Sequence, residues 1–478
     1  MKRITSMDFW RGICIIIATM FHFLFVSWEK FKNNGAEILA GDNYVLIALA
    51  VVMFVFIHWR GLFLLISAVV NFYQLETAAK KYDSNMGVIF AKQIITGIVL
   101  IIIGKIWAFA FPYWGFIELW SRDPSSTFWG GTITLAFYLK DHWAFVFIIE
   151  AIDSIGLMMI ITSFFFVLFH YFRGKYAWLV KVVFLNVIGY TIIFVSPLII
   201  QWASNIHYGD SLIDTFRHIN GVRIEGGGFG FWELLRHTVI IWIGGREAPL
   251  FPMLGSYFVG ASFGYIITQE NPKRTQLRWM LIPSAIAVIV GVVDLFFFYE
   301  YAGLTGIDAM FANIGFHVHP RWFAMISIGL QAPIILASLA IIEFNPKLNQ
   351  ERWLKYTRWI RRFGVFTLTL YFLGVFDFLV RWVIRKIVHA INPSSTVDFI
   401  TRYGLADGWT FAILGILMGL WAIGIFVWDK VGKGYLSVDF FVNLLRIPKK
   451  GRKRDWKDPM NLQGILYDVQ MVTFWKKP

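Results

Sequence analysis

Residues 7–28 read MDFWRGICIIIATMFHFLFVSW. Asp8, Arg11 and His22 are the only ionisable groups besides one cysteine. The rest is apolar or small, and the length suffices for a helix across the roughly 30 Å of bilayer hydrocarbon. At the helical period, Asp8, Arg11, Ala18 and His22 share one narrow face. Arg11 and His22 stand three turns apart, about 16 Å along the axis. An arginine near a membrane surface can reach back to the headgroups. A histidine two-thirds of the way across cannot, so His22 must face protein or a water-filled cavity. Its plainest role is packing, bonded to a neighbouring helix; the alternative is chemistry.

The whole chain extends this reading. Of 478 residues, 58% are hydrophobic and only 15% charged. A soluble fold of that size could not bury so much apolar surface. The expected class is therefore all-α, a polytopic membrane protein. Cys14 is the single cysteine, which excludes a disulfide framework. Met1-Lys2-Arg3 before an apolar run resembles a signal peptide. No small-residue cleavage site follows Trp28, so the segment reads as an uncleaved helix.

About ten transmembrane helices are expected: 7–28, 58–75, 88–111, 143–172, 176–201, 251–268, 279–301, 322–344, one starting at Phe363, and 409–428. A short interfacial helix, 44–57, is expected to precede the second. The basic clusters at Lys80, Arg173, Lys273, Arg352 to Arg362 and the C-terminal stretch then all fall on one side. By the positive-inside rule that side is the cytoplasm, with both termini cytoplasmic and the protein multi-pass in the cell membrane. The net charge of +14 is thus explained by topology, and no nucleic-acid partner is expected. Residues 1–430 read as the membrane domain and 431–478 as a basic cytoplasmic tail. The tail's Lys449–Arg454 cluster suits anionic headgroups. His317 and His319 lack nearby acids, so no metal is expected.

The stretch Arg3-Ile-Thr-Ser-Met-Asp8-Phe-Trp-Arg11-Gly12, followed by His22, resembles the signature of the transmembrane acyltransferases. These include the acyltransferase-3 sugar O-acylases and the heparan-α-glucosaminide N-acetyltransferase family. A second patch, FPMLGSYFVGASFG at 251–264, is similar to the glucosaminide branch, with weaker echoes at 60–67, 150–156 and 364–371. The resemblance implies that acyl-CoA, acetyl-CoA in the first instance, donates from the cytoplasmic side to an extracytoplasmic sugar, lipid or amine. Arg11 would meet the CoA phosphates, oriented by Asp8, with His58 and Arg60 as further binding groups. His22 would deprotonate the acceptor or carry the acyl group. The glucosaminide branch places its acylated histidine in the first outer loop. Residues 29–43 hold none, which leaves the helix-borne His22.

Acids inside spans are costly unless paired, so Glu150, Asp153 and Asp294 are candidates for lining the substrate cavity. Asp377 and Arg381, four apart, suit a mutual pair. Two other functions fit the same pattern. One is a non-catalytic accessory or scaffold subunit of a membrane protein complex. The other is a proton-coupled transporter in which the intramembrane acids and His22 relay protons. Expected partners are membrane lipids, a small-molecule or glycan acceptor, and a protein complex or homo-oligomer.

Overall fold

The computed structural model describes residues 3–28, 59–81, 85–110, 149, 151–172, 174, 176–208, 231–244, 250–269, 272–301, 303–306, 320–372, 382–383, 386–387, 390–391, 407–435, 437–445 and 460–474. The first five helices are α1 (Thr5–Ser27), α2 (Trp59–Lys81), α3 (Met86–Ala110), α4 (Ala151–His170) and α5 (Ala177–Tyr208). Then come α6 (Phe231–Gly244), α7 (Leu250–Ile267), the short α8 (Arg274–Arg278) and α9 (Leu281–Val293). A π-turn over Asp294–Phe298 leads into a two-residue hairpin, Glu300–Tyr301 against Leu304–Thr305. The chain continues through α10 (Arg321–Ile342), α11 (Gln350–Val365), α12 (Thr367–Phe372), α13 (Asp407–Lys430) and α14 (Val438–Leu445), and a π-turn at Gln463–Tyr467. Nine helices among the described residues are long and apolar enough to cross a membrane: α1–α5, α7, the α8–α9 unit, α10 and α13. The protein is a polytopic helical membrane protein.

α7 lies at the centre, with nearly every residue buried. Its small residues let two neighbours come close. Gly255 meets Gly189 of α5, Gly260 meets Leu65 and Ala68 of α2, and Gly264 meets Phe72 of α2. α1, α2, α4, α7 and α10 share the main apolar cluster. The other flank of α1 packs with α12 and α13 in a second cluster around Phe23, Phe366 and Trp421.

Three expectations change. The basic stretch before Phe363, read as a loop, is a helix. The side chain of Asn349 accepts the Arg352 N–H at 2.9 Å and caps α11 at Gln350, so Phe363 lies near its end rather than at the start of a span. The second span runs to Lys81, not 75, because Leu75 and Ala79 still face the core. The segment after 430 is no free tail, since Phe440, Val442, Leu466 and Met471 are buried. Its last described stretch returns to α1: Arg3 donates to the carbonyl of Gln470 and accepts from Val472 N–H, each at 2.9 Å. Both described ends of the chain therefore lie on one face of the molecule. The helix expected at 44–57 and the Asp377–Arg381 pair fall outside the described residues, as do His317, His319 and Lys449–Arg454.

Candidate functional site at the start of the first helix

Ile4 precedes α1 and has no side chain able to cap it. Glu343, just past the end of α10, fills that role. Its Oε1 accepts Ser6 N–H at 2.9 Å and the Thr5 hydroxyl at 3.4 Å. The residue is fully buried and its Oε2 has no partner. Burial pushes the carboxyl up to about 7, although the bonds from Ser6 and Thr5 work against it. Trp353 of α11 donates to Thr5 at 3.1 Å, and Phe474 N–H donates to the Glu343 carbonyl at 3.0 Å. The entry of α1 is thus locked by α10, α11 and the last described stretch of the chain.

One turn further, Asp8 is buried and held by a fork. Arg3 Nε and Nη2 each reach one of its oxygens at 2.7 Å. Asp8 was expected to orient Arg11; its oxygens instead take up Arg3. The reason is geometric. Arg3 lies just outside the helix, where its guanidinium can approach the carboxylate in plane, as bidentate pairing requires.

Gly12 follows, and here α11 crosses α1. A Cβ at Gly12 would overlap the carbonyl oxygen of Ile360, and one at Gly364 would overlap that of Asp8. The glycine of the Asp8-x-x-Arg11-Gly12 pattern is therefore a packing residue. It lets a second helix reach the backbone beside Arg11.

Among the described residues no hydrogen bond reaches Arg11, which is partly buried. Its Nε is shut off from solvent and has no partner. Two carboxylates act on it electrostatically, Asp8 and Asp439. Asp439, on α14, accepts from Thr369 N–H at 2.9 Å and from the Thr369 hydroxyl at 2.7 Å. Burial raises its carboxyl above the usual range, while Thr369 and Arg11 pull it down. A third cation, Arg361, is fully buried. It reaches the Leu354 carbonyl at 2.8 Å and Thr357 at 3.2 Å. Burial brings it down to about 10 against the pull of Asp8. Asp439, Glu343 and Arg361 were not singled out from sequence. A lone acid opening the apolar Val438–Leu445 stretch was the available signal for Asp439.

Further along the same face of α1, Ile15 and Ala18 are buried. Ile15 borders a small apolar space with Phe63, Ile152, Ile155, Thr367 and Tyr371, no larger than one water molecule. His22 lies two turns beyond Ile15 and is partly buried.

The remaining candidates are dispersed. α4 turns Ala151, Ile152 and Ile155 toward that space and Asp153 toward α3. There Asp153 pairs with Lys105 at 2.7 Å, and Lys105 also lies 5.3 Å from the centroid of the Trp242 ring. Asp294 is clamped by Arg321, whose Nε approaches at 2.9 Å. Arg321 begins α10, whose far end carries Glu343, so Asp294 sits a helix length of about 33 Å from the Arg11 end. It ties α9 to α10 rather than lining a space near Arg11. His58, Glu150 and the side chain of Arg60 lie outside the described residues. Among the described residues no three His, Cys, Asp or Glu come together in a metal-binding group.

No protein-family model, curated protein or solved structure matches this chain.

Proposed function

We propose that the protein is an integral-membrane acyltransferase of the cell membrane. It takes an acyl group, acetyl in the first instance, from acyl-CoA on the cytoplasmic side and passes it to an extracytoplasmic sugar, lipid or amine. One observation carries the proposal: a guanidinium, Arg11, is built into a tightly packed helix crossing, and its buried Nε has no hydrogen-bond partner among the described residues. A charged donor left unbonded costs several kcal/mol unless an anion arrives to take it. Arg3 keeps Asp8 occupied, so Asp8 does not fill that place. A phosphate oxygen of the CoA moiety is an anion of the right size and charge.

His22 lies on the same face of α1, three turns away. A neutral imidazole there accepts the proton of the acceptor hydroxyl or amine as its oxygen or nitrogen attacks the thioester carbonyl. The C–S bond breaks and the proton passes to the departing thiolate. Alternatively the imidazole takes the acyl group first and hands it on. Asp8, Arg3 and Gly12 act at one remove, by fixing the helix that presents both side chains.

A second reading rests on a different observation. The apolar space beside Ile15 admits one water, which suits a packed scaffold subunit better than a channel for a pantetheine arm. Transfer of labelled acetyl from acetyl-CoA by the purified, reconstituted protein separates the two. The enzyme reading expects His22→Ala to bind acetyl-CoA as the wild type does and to transfer nothing. Transfer by His22→Ala at the wild-type rate removes the proposed chemistry, and no acetyl-CoA binding by the wild type favours the scaffold.

A further inference from the structure

α11 buries one side against α1 and leaves the other bare: Arg352, Lys355, Tyr356 and Trp359 are all exposed, with Glu351 the acid among them. Where this side meets the end of α13, three cations converge on one ring. Lys430 Nζ lies 4.3 Å from the Tyr467 centroid, Arg358 Cζ 4.8 Å and Arg362 Cζ 5.9 Å. The ring's negative face favours such an arrangement, but only modestly at an exposed site. Among the described residues the acid bonded into this cluster is Asp429, and it is spent. It accepts from Arg362 Nε at 2.7 Å and from the Tyr467 hydroxyl, while Arg362 Nη2 donates to that hydroxyl at 2.9 Å. Among the described residues Lys430 and Arg358 have no carboxylate partner, and they are separated by no more than the sum of their distances to the shared ring. The Nε of Arg358 is buried without a partner. Two like charges beside one ring with no carboxylate partner favour an anion near them.

We propose that this cluster binds the phosphate of an anionic phospholipid, in the leaflet on the side of the molecule where the two described chain ends meet. The surroundings select a lipid over free phosphate. Tyr356 is 71% exposed and Trp359 55%, aromatic rings of the kind that settle at headgroup level. Val431, 77% exposed, follows Lys430 directly and offers an acyl chain an apolar contact. Exposed apolar residues of α13 (Ile423, Val427) continue the surface toward the bilayer core. The lipid's phosphate would sit between Arg358 and Lys430, with its chains along α13. The site shares no residue with the Arg11 cluster and stands independently of the acyltransferase reading.

Native mass spectrometry of the purified full-length protein tests it, with phosphatidylglycerol and phosphatidylcholine as probes. Wild type is expected to retain phosphatidylglycerol in preference to phosphatidylcholine. Arg358→Gln with Lys430→Gln is expected to weaken phosphatidylglycerol binding about 30-fold, the weight of two cations at an anionic lipid surface. Lys430→Gln alone, at an exposed position that folding does not depend on, is expected to lose about fivefold. Equal retention of the two lipids, an unchanged affinity in Lys430→Gln, or displacement of phosphatidylglycerol by excess inorganic phosphate would overturn the proposal.

Discussion

Replacing Glu343 by Gln should stabilise the protein at high pH and destabilise it at low pH. The carboxyl is fully buried at the entry of α1, with one oxygen bonded and the other unpartnered. Its ordinary value is 4.5 and burial carries it to about 7. A carboxyl raised in this way binds its proton more tightly when folded. The neutral acid's contribution is therefore fully present below pH 4.5 and is lost as pH rises toward 7. Above 7 the fold carries an ionised carboxylate in an apolar setting, a penalty of about 3 kcal/mol at roughly 1.4 kcal/mol per pH unit. Gln cannot ionise. Its carbonyl keeps the bond from Ser6, but its amide replaces an oxygen that had no partner and gains none, at a cost of about 1 kcal/mol. The variant should then lie about 1 kcal/mol below wild type near pH 3.5 and about 2 kcal/mol above it near pH 9. Melting curves of the detergent-purified proteins across this range read the crossing directly. Two parallel pH profiles, with Gln lower throughout, would refute the buried-acid reasoning.

Four other outcomes follow, three from the same face of the molecule and one from its opposite end. Gly12→Ala and Gly364→Ala should each cost about 1–3 kcal/mol in melting experiments, because each new methyl meets a backbone carbonyl that cannot move aside. Asp8→Asn should cost about 3 kcal/mol by leaving Arg3 without its counter-charge, and Arg3→Met combined with Asp8→Leu should recover much of that loss. Asp439→Asn should tighten acetyl-CoA binding in isothermal titration, since it removes a negative charge acting on Arg11. Asp294→Ala should lower the melting temperature yet leave acetyl-CoA affinity unchanged, because Asp294 serves Arg321 at the other end of α10.

Much of the fold was legible because bilayer thickness imposes a length on apolar runs. Residues 88–111 and 409–428, for example, correspond to α3 and α13 within a few positions. α11 was not legible for a physical reason. Its pattern of Arg352, Lys355, Arg358, Arg361 and Arg362 reads as a loop by charge, and only the Asn349 cap and the apolar side packed on α1 reveal a helix. The same holds for Arg11. The sequence puts it on a face with Asp8 and His22, but periodicity cannot say which partner a carboxylate takes. Arg3, outside the helical pattern, decided that. Asp153 and Asp294 are expected from sequence to line the substrate cavity; the cations they meet, Lys105 and Arg321, come from other helices that no local spacing connects. Glu343 owes its environment to the entry of α1 and Asp439 its own to Thr369, partners far apart in sequence that no local spacing connects.

The central claim is that Arg11 stands unbonded in order to hold an anionic ligand. Equilibrium binding of acetyl-CoA to the purified protein, wild type against Arg11→Gln, tests it most directly, with melting curves confirming that the variant is folded. Loss of a charge-assisted bond to phosphate predicts an affinity lower by about 10- to 100-fold. An Arg11→Gln protein that melts as a single species and binds acetyl-CoA as tightly as wild type would contradict the account.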